Sequence, residues 1–177
     1  MSAFTLKLIA LVTMIIDHVG AIFFPQFIWL RYIGRLSMPI YAFLLVQGYM
    51  HTRNFNRYAL RMGIFALLSE VPYDLLFQGT WLEFQRQNIL FTFLTALFVV
   101  KLLDASAKSR NIFMFIGAVI LTILPYFLHF SYGVYGVLTV LCFYLFQKYR
   151  GIDAVAFAAL TYGQYTQDGN MTQLYAI

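Results

Sequence analysis

Residues 6–24 read LKLIALVTMIIDHVGAIFF, an apolar run of membrane-spanning length interrupted in its outer third by one adjacent ionisable pair, Asp17 and His18. A charge near the middle of a bilayer costs at least about 2.5–3.5 kcal/mol on insertion scales, so such a residue faces protein and serves a purpose. The pair is the first candidate for chemistry, and the rest of the chain has to supply its surroundings.

That reading requires a membrane protein, and composition supplies one. Of 177 residues, 62% are hydrophobic and only 11% charged, with 19 Phe and 13 Tyr. A water-soluble domain carries about 25% charge, so there is too little polar surface here to cover a soluble body. The first run keeps Asp and His inside its apolar stretch and has no small-x-small cleavage site before Pro25, so it reads as a retained helix and not a secretion signal. Cys142 is the only cysteine, which excludes an intrachain disulfide, and His18, His51 and His129 lack the i, i+4 spacing of a helical zinc site. No metal is expected. The formal charge of +5 comes from basic residues set singly or in short clusters between apolar runs, a pattern that orients membrane helices and does not suggest nucleic acid.

Spans of roughly 20 apolar residues cross a bilayer. Six are expected, at 4–24, 28–50, 57–78, 88–104, 111–130 and 132–148, with a shorter seventh at 152–165. Gly, Pro and polar residues mark the joins, including Pro25, Asn54, Gly79, Ser106 to Asn111, and Gly151. No repeat or long linker divides the chain. The expected fold is all-α, a polytopic transmembrane bundle of six to seven helices in a single domain over 1–177.

The N-terminus and alternate joins hold Lys7, Arg53, Arg57, Arg61, Lys101, Lys108, Arg110, Lys148 and Arg150, nine of the twelve Lys and Arg residues; Arg31, Arg35 and Arg86 fall on the other side. By the positive-inside rule the N-terminus is expected in the cytoplasm. At 1.5 Å per residue this orientation brings Asp17 and His18, Arg35, Glu70 and Asp74, and Asn88 and Thr92 from four helices to one depth in the outer half of the membrane. Three carboxyl groups in a low-dielectric setting need partners, and Arg35 and His18 are available at that level. The alternative is a polar cluster that only fixes helix packing. Pro72, two residues after Glu70, and Pro39, four after Arg35, are expected to bend their helices and open room there, unless they serve packing alone.

Lys7 and His18 are eleven residues apart, so on a helix they share a face about 16 Å apart along the axis. A long ligand with an anionic head could be held at Lys7 while its far end meets His18. Coenzyme A thioesters have that form, and Arg53, Arg57 and Arg61 would add phosphate contacts. The alternative for Lys7 is an interfacial anchor, and for the arginines simple obedience to the orientation rule. Imidazole exchanges its proton near neutral pH, which suits His18 to general base catalysis. Glu70 is the expected direct partner of its ring, with Asp17 paired to Arg35. His51 and His129, at helix ends, are not candidates.

With these residues in place, the stretches LKLIALVTMIIDHVGAIFFP, LRYIGRLSMPIYAFLLVQGYMHTRN, YALRMGIFALLSEVPYDLLF, NILFTFLTALF and SYGVYGVL resemble the TraX family, membrane proteins associated with N-terminal acetylation of conjugative pilin. More distantly the chain is similar to the acyltransferase-3 membrane proteins, where a basic residue, ten others and a His mark the first helix. The resemblance implies that His18 is the catalytic base, that Lys7 and Arg35 help hold the acyl donor or the reacting groups, and that Asp17, Glu70, Asp74 and Asn88 occupy TraX-like polar positions. It also implies residence in a bacterial cytoplasmic membrane. Two departures stand out: Ser131 precedes Tyr132-Gly133 where an acidic residue is expected, and the chain stops at QLYAI where the family continues into another helix or two.

The leading expectation is an acetyl-CoA-dependent membrane N-acyltransferase, with acetyl-CoA as co-substrate and a peptide, pilin-like N-terminus or amino sugar as acceptor. His18 would accept the acceptor's proton or briefly carry the acetyl group, Glu70 or Asp17 would orient it, and Arg35 and Asn88 would stabilise the oxyanion. A small proton-coupled transporter and a non-catalytic assembly subunit are the alternatives from other classes.

Overall fold

The computed structural model describes residues 2–81, 86–147 and 152–168, and among them it contains eight helices and no strand. These are α1 (Ala3–Ile22), α2 (Ile28–Arg35), α3 (Ser37–His51), α4 (Phe55–Phe77), α5 (Ile89–Ser109), α6 (Ile112–Phe127), α7 (Gly133–Phe146) and α8 (Ile152–Asp168). Lys148, Arg150, the join at Gly151 and the terminal QLYAI lie outside the described residues.

The second expected span is two helices, α2 and α3, separated at Leu36. Pro39 explains the break: it has no N–H to offer the carbonyl of Arg35, and its ring clashes with that carbonyl in a continuous helix. The chain turns tightly instead, with the Leu36 N–H on the Ile33 carbonyl at 3.3 Å, while the Ser37 hydroxyl donates to the Gly34 carbonyl at 2.8 Å. Pro72 has no such effect. It lies inside α4 without ending it, on an exposed face.

Local chemistry sets the other limits. Ser2 caps α1 by accepting from the Thr5 N–H, and Asn54, Asn88 and Asn111 cap α4, α5 and α6 through their side-chain oxygens. The fourth expected span ends at 104, but α5 continues to Ser109. An Asp104 to Lys108 ion pair at 2.9 Å, one turn apart, carries the helix past its apolar part, and Arg110 closes it in the left-handed conformation.

The chain folds as two compact units, the described residues of Met1–Gln47 with Cys142–Ile177, and Gly48–Leu141. In the first, α1 and α2 pack antiparallel at two glycines. A Cβ on Gly20 would lie 2.6 Å from the Leu30 Cβ, and one on Gly34 would lie 2.2 Å from the Asp17 Cβ. Small residues bring the two backbones together as they do in membrane bundles. Phe43 of α3, Phe143 of α7 and Phe157 of α8 form a chain of ring contacts in the same unit, with centroid distances of 6.0 and 5.7 Å. In the second unit α5 packs against both α4 and α6, and its Phe93, Ala96, Leu97, Val99 and Val100 are buried.

The polarity of the surface is inverted relative to a soluble protein. Leu67 and Leu68 of α4 are each 66% exposed and Phe113 of α6 is 79% exposed, within a long series of exposed Leu, Ile, Val and Phe. Ala3–Ile22 and Ile89–Ser109 are long and apolar enough to cross a membrane, with Ile112–Phe127 and Gly133–Phe146 as shorter apolar helices. Apolar patches of that extent need a lipid or protein partner. The chain is membrane-associated.

Candidate functional site

In the first unit the candidate residues lie on α1 and α2. The His18 Nδ1 is 2.7 Å from the Met14 carbonyl oxygen, one turn back on the same helix. A carbonyl can only accept, so Nδ1 carries the proton, and the lone pair of the neutral ring is on Nε2. The helix backbone thus orients the ring through Nδ1. Because α1 is continuous from Ala3 to Ile22, the shared face of exposed Lys7 and half-buried His18 is realised, about 16 Å apart along the axis.

Asp17 was expected to pair with Arg35, and the cation that binds it is Arg31. Its Nη1 donates to Asp17 Oδ2 at 2.8 Å and to the Asp17 carbonyl at 3.1 Å. The reason is the position of Gly34. Its close approach to Asp17 fixes the register of α2 on α1, and Arg31, three residues earlier on the same face of α2, is carried onto the carboxylate.

The second unit brings Glu70 and Asn88 together. Asn88 donates its backbone N–H at 3.1 Å and its Nδ2 at 2.5 Å to Glu70 Oε2, and Nδ2 also donates to the Ala66 carbonyl at 2.9 Å. Its Oδ1 meanwhile accepts from the Leu90 N–H at 2.9 Å as the cap of α5. One amide therefore starts a helix and anchors a buried acid. Asp74 lies one turn beyond Glu70 on the same face of α4 and is fully buried.

A hydroxyl network adjoins this pair in sequence and was not foreseen. Ser131, 8% exposed, donates from Oγ to the Gln87 carbonyl at 2.7 Å. Having spent its proton there, Ser131 Oγ accepts from the Tyr73 hydroxyl at 3.2 Å. Thr92 Oγ1 donates to the Ser131 carbonyl at 2.5 Å, and the Ser131 N–H bonds the Gln87 carbonyl at 3.0 Å. The turn that presents Ser131 holds His129 and Tyr132 at φ of 54° and 63°, where side chains are strained. Sequence reading noticed Ser131 only as a missing acid. The signal for a built turn was the sequence SYG between two apolar runs.

Arg57 and Arg61 are exposed one turn apart on α4, and Arg53 is exposed just before the Asn54 cap. Arg35 ends α2 beside the Pro39 break. Among the described residues no group of three or more His, Cys, Asp or Glu is placed to hold a metal ion.

These features define a membrane-associated all-helical protein that keeps an oriented imidazole and a bound carboxylate on its first helix and a second, amide-anchored acid on its fourth. The TraX protein family model matches residues 2–174, and the chain belongs to that family. It is 28% identical over 177 residues to the probable fimbrial assembly protein FimC, serogroup H1, of Dichelobacter nodosus, covering 92% of this chain and 69% of the relative. It is also 31% identical over 85 residues to an uncharacterized protein of Rickettsia prowazekii (strain Madrid E), covering 48% of this chain and 31% of that one. No solved structure matches the chain.

Proposed function

We propose that the chain is a multi-pass protein of the bacterial cytoplasmic membrane, N-terminus inside, that transfers an acetyl group from acetyl-CoA to an amine. The observation that carries this reading is His18. Its Nδ1 proton is held by the Met14 carbonyl, which makes Nε2 a base with a fixed direction, and Lys7 stands on the same face of α1 at the distance a pantetheine arm can reach. The amine nitrogen attacks the thioester carbonyl carbon while Nε2 takes the proton that nitrogen loses. The C–S bond then breaks, and the CoA sulfur receives the proton from Nε2. Lys7 binds the phosphates. Arg35 is a donor for the developing oxyanion. Membership of the TraX family, for which the resemblance implies acetylation of a pilin N-terminus, supports the acyl-transfer chemistry, and the fimbrial name of the Dichelobacter relative supports a pilin-like subunit as acceptor.

The same name favours a second reading, a non-catalytic subunit in pilus assembly. The two separate on one measurement. Protein in nanodiscs is incubated with radiolabelled acetyl-CoA, wild type beside His18→Ala. Label transfer or thioester hydrolysis that depends on His18 supports the enzyme. Absence of both from folded wild-type protein leaves the assembly subunit.

A further inference from the structure

The two oxygens of the Glu70 carboxyl have unequal surroundings. Oε2 accepts both hydrogen bonds from Asn88, whereas Oε1 is buried and has no hydrogen-bond partner, in a residue only 7% exposed. Buried polar atoms in native proteins are almost always satisfied by protein or water, so Oε1 is the acceptor through which Glu70 can take a further donor. Asp74, fully buried one turn along the same face, adds a second acid to the surroundings of that oxygen. A ligand suited to this place donates hydrogen bonds and carries positive charge.

Its shape follows from Asn88. A guanidinium binds a carboxylate most strongly with two parallel N–H bonds, one to each oxygen, and here Oε2 is already occupied. An ammonium is a compact charge with three donors and can bind one oxygen while turning another donor toward Asp74. We propose that Glu70 Oε1, with Asp74 beside it, is the binding point for the primary ammonium of the acceptor and takes the proton whose loss leaves the attacking neutral amine, and that Asn88 is the positioning residue that turns the carboxyl. This assignment rests on the acyltransferase reading for the purpose of the amine, while the binding itself stands apart from it.

The experiment uses full-length protein in nanodiscs with alaninamide as the amine and N-acetylalaninamide as its blocked twin. For wild type and Glu70→Gln, transfer from acetyl-CoA to alaninamide is measured with each substrate varied in turn. The expected result is a rise of tenfold or more in the KM for alaninamide without a matching rise in the KM for acetyl-CoA. An unchanged KM for alaninamide overturns the assignment and leaves the acyltransferase reading standing. If wild type shows no turnover, that reading falls, and the site is then decided by thermal unfolding. Alaninamide raising the unfolding midpoint of wild type but not of Glu70→Gln, with no effect of the acetylated twin, supports it. No difference between the twins overturns it. Should Glu70→Gln fail to fold, Glu70→Asp keeps the charge one methylene short and is expected to raise the KM for alaninamide alone; should that fail too, discrimination between the twins by wild type decides.

Discussion

Gly34 lies directly against Asp17, so close that a Cβ on the glycine would sit 2.2 Å from the Cβ of the aspartate and 2.5 Å from its Oδ1. The contact is made between backbone-proximal atoms of α1 and α2, where no flexible side chain can move aside. Gly34→Ala must push the two helices apart, and overpacking of this kind costs about 1–3 kcal/mol. It should also stretch the Arg31 to Asp17 bond, which the same approach sets up. Unfolding in mixed detergent micelles is the measurement, and a variant as stable as wild type would show that the two helices do not need this contact.

Removing the cation alone is expected to be worse than removing both charges. The side chains of Arg31 and Asp17 are 28% and 16% exposed, so the pair is only partly desolvated. Arg31→Leu leaves the carboxylate without its charged donor and should cost about 1.5–3 kcal/mol, in the range of hydrogen bonds to charged groups. Asp17→Asn in the same background should recover part of that loss, because it takes away the uncompensated charge. Equal destabilisation of the single and double variants would mean that Arg31 acts through packing of its stem.

Which parts of this were legible in the sequence has a physical answer. The first helix and its Asp17–His18 pair were plain because an ionisable residue in a long apolar run has no bland explanation. Counting residues put Glu70, Asp74 and Asn88 at one level, and the structure joins Glu70 to Asn88. Periodicity could not choose between Arg31 and Arg35 for Asp17, since both lie on one face of α2; the choice depends on where a glycine lets the backbones meet. The break at Leu36 was half legible, because Pro39 announced a disturbance without saying whether the helix would bend or stop, and Pro72 shows that an exposed proline leaves a helix running. The Tyr73, Ser131 and Thr92 network was not legible, because it depends on left-handed residues in a turn and on backbone carbonyls that carry no sequence signature.

Asn88→Asp tests the amide anchor with almost no change in shape. The new side chain can still cap α5 through Oδ1, but the Nδ2 donor to Glu70 and to the Ala66 carbonyl becomes an oxygen. Two acids then face each other in a buried place, and the Ala66 carbonyl loses a donor. The expected loss is at least about 1–3 kcal/mol, the cost of leaving a buried hydrogen-bonding group unsatisfied. Asn88→Ala should cost less at Glu70 because it removes the donor without adding charge, though it loses the cap, which contributes about 1 kcal/mol. The order of the two unfolding midpoints, Asn88→Asp below Asn88→Ala, is the reading to take. The reverse order would mean that the cap outweighs the acid.

The orientation of His18 is open to direct measurement. With Nδ1 donating to the Met14 carbonyl, the neutral ring must be the Nδ1–H tautomer, although the side chain of free histidine in water favours the other one. Solid-state nitrogen NMR on protein labelled at histidine distinguishes the two, and His18→Gln identifies the signal by its disappearance. Observation of the Nδ1–H form would mean that the helix itself holds the base in its working direction. Its consequence is that substitution of Asp17 should alter the stability of α1 on α2 far more than the tautomer of the neighbouring ring. His18→Ala is expected to lower acetyl transfer by about 10²–10⁴-fold, the range a positioned general base contributes, while leaving the Arg31 to Asp17 pair and the fold in place. If the signal reports the Nε2–H form, the lone pair lies on the nitrogen turned toward Met14, and His18 cannot serve as the base in this conformation.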